Sequence, residues 1–242
     1  MCIKKIILCV CALMSLMGCK AKKDGDLIVG TSADNPPYEF IKDNQIVGMD
    51  IDIINAIGHN LGKKILIKNL DFHGLLAALA SKNVDIVIAA LSVTPVRQEK
   101  IDFTHNYTSS TSAVLFRRED NYTSSSDLKD KSIGVQLGTT WSQIAESISE
   151  RVGSTVHSLS NNLMLVEELK SKAVDAVILE EAQAKNFSGN NPSLIYFILE
   201  DFDTNFAIAL PKGSGLKAEI DEAIKDLEQN GTLNEIRKKW LK

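Results

Sequence analysis

Arg97 occupies a position that calls for a chemical explanation. Thr94-Pro95 has the pattern of a helix N-cap followed by proline in the first turn, which puts Arg97 inside that opening turn. A guanidinium there faces the positive end of the helix dipole and is disfavoured unless an anion lies close. A small-molecule carboxylate meets that need: the guanidinium grips both oxygens, and backbone N–H groups with the Ser92 and Thr94 hydroxyls add donors. The competing reading pairs Arg97 with Glu99 or Asp102 at the surface. A second turn, Gln136-Leu137-Gly138-Thr139-Thr140, ends a strand pattern and opens a helical one. Gly138 permits close backbone approach and a threonine is a candidate cap, so this turn either offers donors to the same carboxylate or is purely structural. Glu180 closes a further strand and suits an ammonium, while Phe72 is either an apolar wall for a ligand or a core residue. Recognition of both ends of a zwitterion is the chemistry these residues can do.

Other chemistries find little support. Asp50 and Asp52 follow the Gly48 turn, where capping of a helix start explains them better than a metal pair. His59, His73, His105 and His157 are scattered without ligand spacing, so no metal site is expected. No Gly-x-Ser-x-Gly elbow is present, and no catalytic residue or cofactor motif emerges.

The elements that must position these residues are legible in the apolar pattern. Strand-like Leu27 to Val29, a helical stretch from Asp50 to Leu61, Ile65 to Ile67, a helix from Leu75 to Ser81 and a strand from Val84 to Ala90 read as βαβαβ. A second series follows: Ile133 to Val135, a helix from Thr140 to Arg151, Thr155-Val156, a helix from Leu163 to Ser171, and Val174 to Leu179. The stretch Leu79 to Ile88 recurs as Leu169 to Ile178, helix, tight turn and buried strand in both, which implies two similar α/β lobes. By that offset Ala90 and Glu180 hold matching places beyond the strand ends, where ligands of open α/β sheets bind. Another strand, Asn205 to Leu210, and helices over Leu216 to Gln229 and Thr232 to Trp240 bring the chain back to its first lobe. Crossings near Ser112 to Phe116 and Asp201 to Asn205 make a two-strand hinge. The serine- and threonine-rich patches Thr108 to Ser112 and Thr123 to Ser126 are expected to be solvated connections.

The N-terminus decides the compartment. Lys4 and Lys5 precede an uncharged run from Ile6 to Met17, too short to span a bilayer and of signal-peptide form. Leu16-Met17-Gly18-Cys19 resembles the lipobox of bacterial lipoproteins, which implies cleavage before Cys19 and lipidation of that residue. All cysteines lie in the leader or at its end, so the folded part has neither disulfide nor thiol nucleophile. Losing Lys4 and Lys5 moves the formal charge from −4 to −6, and an acidic surface disfavours nucleic acid as a partner.

Taken together, Gly30 to Phe40, Gly48 to Asp52, Ser92 to Arg97, Ile101 to Thr104 and Tyr107 resemble the signature segments of the family-3 bacterial extracellular solute-binding proteins, with likeness from about Leu27 to Trp240. The resemblance implies an α/β, periplasmic-binding-protein-like (type II) Venus flytrap and the receptor role of a polar amino-acid ABC transporter. It assigns the ligand carboxylate to Arg97 and Thr140, the ammonium to Glu180, further contacts to Ala90 and Ser92, and the aliphatic part to Phe72. Ser32 stands where receptors of basic amino acids commonly carry aspartate, and Glu180 replaces the more usual aspartate. Ser32, Asn35, Phe72 and Gln136 form the side-chain pocket, which leaves a glutamine-like and an arginine-like ligand both open.

The expected organisation is a signal peptide over 1–18, a lipidated tether over 19–26, lobe 1 over 27–111 and 204–242, and lobe 2 over 112–203. A monomer on the periplasmic or cell-surface face of a bacterial membrane, delivering its amino acid to an ABC-transporter permease, follows from this reading. Two other classes compete with it: a cleft enzyme such as a dehydratase of small carboxylates, with Glu180 as its acid or base, and a surface antigen that has lost binding.

Overall fold

The computed structural model describes residues 25–241; the leader, Cys19 and the tether before Gly25 lie outside them. The chain opens with β1 (Leu27–Thr31) and a small antiparallel sheet of β2 (Asp34–Asn35), β3 (Glu39–Lys42) and β4 (Gln45–Val47). Next come α1 (Met49–Asn60), β5 (Ile65–Asn69), α2 (Leu75–Ala80), β6 (Ile86–Val87) and the single turn α3 (Pro95–Gln98). The long strand β7 (Ile101–Arg117) leads into the second unit, made of β8 (Ser132–Gln136), α4 (Thr140–Val152), β9 (Thr155–Leu159), α5 (Asn162–Lys170), β10 (Ala176–Glu180) and α6 (Glu181–Asn190). The equally long β11 (Leu194–Pro211) returns, and α7 (Leu216–Gln229) and α8 (Thr232–Trp240) close the chain.

One eight-stranded sheet runs β5-β1-β6-β11-β7-β10-β8-β9. Its two ends are parallel βαβ units, as the alternating pattern requires, and its centre is the antiparallel pair β7 and β11. This is the type II Venus flytrap. One apolar cluster gathers buried residues between Ala113 and Leu199; two others draw on Leu27 to Tyr107 and Phe206 to Leu233. Where β11 crosses, its register against β7 jumps from Leu199 opposite Ser112 to Asp203 opposite Thr111. A break of this kind removes ladder hydrogen bonds and lets the pair bend.

α1 forms because Met49, Ile51, Ile53, Ile54 and Ile57 recur at helical spacing and all are buried. Its start differs from expectation. Asp50 does not cap the helix; Gly48 is the N-cap residue, without a side-chain cap bond. Asp50 instead accepts hydrogen bonds from the Ala90 N–H (2.7 Å) and the Tyr107 hydroxyl (2.8 Å) and is fully buried. The predicted strand Val84 to Ala90 shrinks to Ile86–Val87 for the same reason. Ala90 takes a left-handed φ of 43°, held by the Asp50 carboxylate, so the chain leaves the sheet early. The Thr108 to Ser112 segment, read as a solvated connection, is part of β7.

Candidate functional site

The two lobes meet over Arg97. Thr94 Oγ1 caps α3 by accepting the Arg97 N–H at 3.3 Å, as the Thr-Pro pattern predicts. The guanidinium donates to Ser92 O at 2.7 Å and, across the cleft, to Gly138 O at 3.0 Å, and it stands 5.8 Å from the centre of the Phe72 ring. Neither Glu99 nor Asp102 pairs with it; Asp102 is taken by Lys212 and the Gly213 N–H. A guanidinium has five N–H donors, so the two carbonyls leave others for an incoming carboxylate. Burial lowers the Arg97 pKa only to about 10, and the group stays cationic at neutral pH.

Thr140 is the first residue of α4, and its Oγ1 lies 3.4 Å from Ser92 Oγ, a hydroxyl pair that spans the lobes. The threonine before it does not cap the helix as expected. The Thr139 hydroxyl donates to Gln136 O at 2.7 Å and makes no cap bond to the helix, which leaves the first N–H groups of α4 without a side-chain cap. Ala90 spends its N–H on Asp50, so its carbonyl is the group it can offer to an ammonium.

Glu180 ends β10, is 1 % exposed, and has one oxygen, Oε2, that makes no hydrogen bond within the protein. Burial pushes its carboxyl well above the ordinary range; its own backbone N–H opposes this, and the charge of Asp50 adds to it. The buried Trp141 indole N–H likewise makes no hydrogen bond within the protein.

Asn35 donates to Glu39 Oε1 at 3.2 Å, while Asn35 Oδ1 and Glu39 Oε2 remain unpartnered. Glu39 is buried, and desolvation followed by the charge of Asp50 raises its carboxyl strongly. Burial likewise lifts Asp50 to about 6 and Asp34 above its ordinary value, against the hydrogen bonds both accept. Ser32 and Gln136 face one another through Asp34. Ser32 Oγ donates to Asp34 Oδ1 (3.0 Å) and Gln136 Nε2 to Asp34 Oδ2 (2.9 Å).

Four carboxyls, Asp34, Glu39, Asp50 and Glu180, are thus buried, and the charge of Asp50 raises both Glu39 and Glu180. Sequence reading missed Asp34 and Glu39 as site groups, and with them Trp141 and Gln183, whose buried polar atoms also lack partners. The one signal for Glu39 was an acid set beside Pro36-Pro37-Tyr38, in a segment too apolar for a solvated loop. Among the described residues, no group of His, Cys, Asp and Glu is arranged to hold a metal ion, and no helix is long and apolar enough to cross a membrane.

Comparison with known proteins agrees with this geometry. The model of the bacterial extracellular solute-binding proteins, family 3, matches residues 27–242. The arginine-binding extracellular protein ArtP of Bacillus subtilis is 32 % identical over 98 % of this chain and 96 % of its own length. An ancestral arginine-binding protein bound to arginine superposes with a TM-score of 0.85 at 36 % identity, covering 89 % of this chain and 98 % of that one. An ancestral arginine-binding protein bound to glutamine gives a TM-score of 0.84 at 34 % identity, covering 90 % of this chain and 99 % of that one. A family model matched over residues 27–242, with relatives above 30 % identity across nearly the whole chain, places this protein in the family-3 extracellular solute-binding proteins, as a binding protein and not an enzyme.

Proposed function

We propose that the chain is the lipid-anchored receptor of an ABC-type amino-acid importer and that its ligand is a cationic L-amino acid of the arginine type. The observation that carries this is the charge imbalance across the cleft. Arg97, helped by Thr140 and the uncapped N–H groups of α4, takes the α-carboxylate; Glu180 and the Ala90 carbonyl take the α-ammonium. Glu39 and Asp50 still outnumber the available cations, and a buried anion without a counter-charge is costly. A side-chain guanidinium ending at Glu39 Oε2 and Asn35 Oδ1 supplies the missing charge and fits both free acceptors with its fork of donors. Phe72 lies beside Arg97 and covers the aliphatic stem. ArtP and the ancestral protein carry the same ligand in their names.

Lobe 1 comprises 27–111 with 204–242 and lobe 2 comprises 112–203, a division supported by the register break beside Thr111 and by the separate apolar clusters. The protein acts as a monomer on the outer face of the membrane, held by Cys19, and passes its ligand to a permease. The leader pattern and the absence of cysteine beyond it support the anchor.

A glutamine-like ligand is favoured by one observation. Burial and the charge of Asp50 raise the Glu39 carboxyl strongly and so favour its neutral form, and a neutral acid beside Asn35 can bond a carboxamide. Calorimetry on protein stripped of ligand by unfolding and refolding decides between the two. L-Arginine should bind with a Kd of about 1 μM, on the order of −8 kcal/mol, and Glu39→Gln should weaken L-arginine by roughly tenfold or more while sparing L-glutamine. Tighter binding of L-glutamine than of L-arginine by the wild type would overturn the cationic reading. Flat traces with every amino acid would overturn the receptor reading itself.

A further inference from the structure

Asp34 takes part in a buried contact between the lobes that ligand recognition does not use. It sits on β2 in the first unit. Its Oδ2 accepts Gln136 Nε2 at 2.9 Å and the backbone N–H of Asn162 at 2.8 Å, both from the second unit; its Oδ1 accepts Ser32 Oγ at 3.0 Å. Gln136 Oε1 in turn accepts Asn162 Nδ2 at 2.9 Å, and Gln136 Nε2 also donates to Ser160 O at 3.1 Å. Asp34, Gln136, Asn162 and Ser32 are each at most 5 % exposed. Both polar atoms of the Gln136 side chain are thereby engaged within the protein.

We propose that Asp34, Gln136 and Asn162 form a closure latch, a set of hydrogen bonds made only when the lobes are shut, whose function is to slow release of the bound amino acid. The inference rests on the receptor reading given above. Parting the lobes returns the Asp34 carboxylate and its donors to water, so these bonds favour the closed state alone. The Asn162 main-chain N–H and the Gln136 amide N–H can only donate, which matches a carboxylate acceptor. No cation lies within ion-pair distance of Asp34 among the described residues, so desolvating it opposes closure of an empty cleft. Ligand drives the lobes together; the latch then holds them. Contacts formed after encounter act on the dissociation rate more than on association.

Two variants test this from opposite sides of the cleft. Asp34→Ala removes the acceptor. Asn162→Pro removes one of the two lobe-2 donors to Asp34, the Asn162 N–H, and leaves Gln136 Nε2 in place; it lies at the first position of α5, where proline is tolerated, and Asn161 already has the extended backbone (φ −132°, ψ 125°) that precedes proline. Small-angle scattering with and without a mixture of the twenty amino acids reports closure. Stopped-flow tryptophan fluorescence with L-arginine, and with any other amino acid that closes the wild type, reports both rates. Dissociation should accelerate roughly ten- to hundredfold in both variants, with association changed by no more than about twofold. Asp34→Asn, which keeps an oxygen for Gln136 and Asn162, should fall between wild type and Asp34→Ala. The ligand-free melting midpoint of Asp34→Ala should not move, because the bonds it loses across the cleft are open without ligand; Asn162→Pro also loses its bond to Gln136 within the second lobe, so its dissociation rate is read against its own ligand-free midpoint. Unchanged dissociation in both variants overturns the latch. So does faster dissociation matched by an equal loss of ligand-free stability, which marks a structural role. If Asp34→Ala fails to fold, Asn162→Pro decides alone. Closure with another amino acid but not with L-arginine defeats the ligand assignment and leaves the latch to be decided with that amino acid; no closure with any defeats both.

Discussion

Arg97 and the buried acids divide the work at the residue scale, and each division has a consequence. Arg97 is held by two carbonyls, from Ser92 and Gly138, rather than by an acid, so its removal leaves no orphaned carboxylate behind. Arg97→Ala should therefore cost binding by at least roughly a hundredfold while the denaturation midpoint stays near that of wild type. Arg97→Lys should recover little, since an ammonium cannot grip both oxygens and reach two carbonyls from one plane. Titration calorimetry beside urea denaturation checks both outcomes. Asp50 gives a pH prediction. Its pKa is about 6 in the folded protein against 3.8 as the reference value. The native state binds this proton more tightly than the unfolded chain, so the related stability is present in full below about pH 4 and is lost as pH rises through about 6. Asp50→Asn can keep the Ala90 N–H and Tyr107 contacts, both of which go to one oxygen, and removes the buried charge. Wild-type stability should fall relative to Asp50→Asn between pH 4 and pH 7, by up to about 3 kcal/mol. Parallel urea midpoints across that range would refute the assignment.

At the scale of the element, the start of α1 positions the acidic side of the site. Gly48 has φ 138°, and a Cβ there would lie 2.0 Å from the Tyr38 carbonyl oxygen. The following residues bond back to the same segment, Met49 N–H to Pro37 O and Asp50 N–H to Tyr38 O. Helix, hairpin and Glu39 are thus one unit. Gly48→Ala should push them apart, costing roughly 3 kcal/mol or more through clash and strain. A lowered thermal midpoint measured without ligand tests it; a midpoint within about 1 °C of wild type would show that the turn relaxes freely. The same unit explains why β6 stops after Val87: once Asp50 claims the Ala90 N–H, the backbone from Ala90 to Ser92 is directed into the cleft.

For the whole molecule, the two long strands β7 and β11 run through both lobes, and on the proposed function the ligand sets how the lobes stand about them. Gly138 of the second lobe presses on His73 of the first; a Cβ on it would lie 3.1 Å from the His73 Cβ. That crowding exists only while the lobes are shut. Gly138 also has φ 83°, so Gly138→Ala should lower ligand-free stability by roughly 1 kcal/mol from strain and weaken ligand by about tenfold more than that strain accounts for. Calorimetric Kd values, read with scattering profiles at saturating amino acid, separate the two effects. Normal affinity with a compact scattering profile would mean that the lobes close without meeting at this point.

The amino-acid sequence by itself determined the two-lobed α/β architecture, the return of the chain to its first lobe, and the placing of Arg97 at a capped helix start. These follow from local rules: apolar period, turn chemistry and the Thr-Pro cap act over a few residues, so Thr94 and Arg97 met as their spacing requires. Glu180 was legible because an acid at the end of a buried strand has nowhere else to go. Tertiary structure alone decided which polar groups would be left without partners. Asp50 reads as a helix cap until Ala90 and Tyr107, 40 and 57 residues away, arrive at its carboxylate. Asp34 reads as a loop acid until Asn162 and Gln136 close over it from more than a hundred residues on. Burial of a charge is a property of everything packed around it, and no window of sequence contains that information.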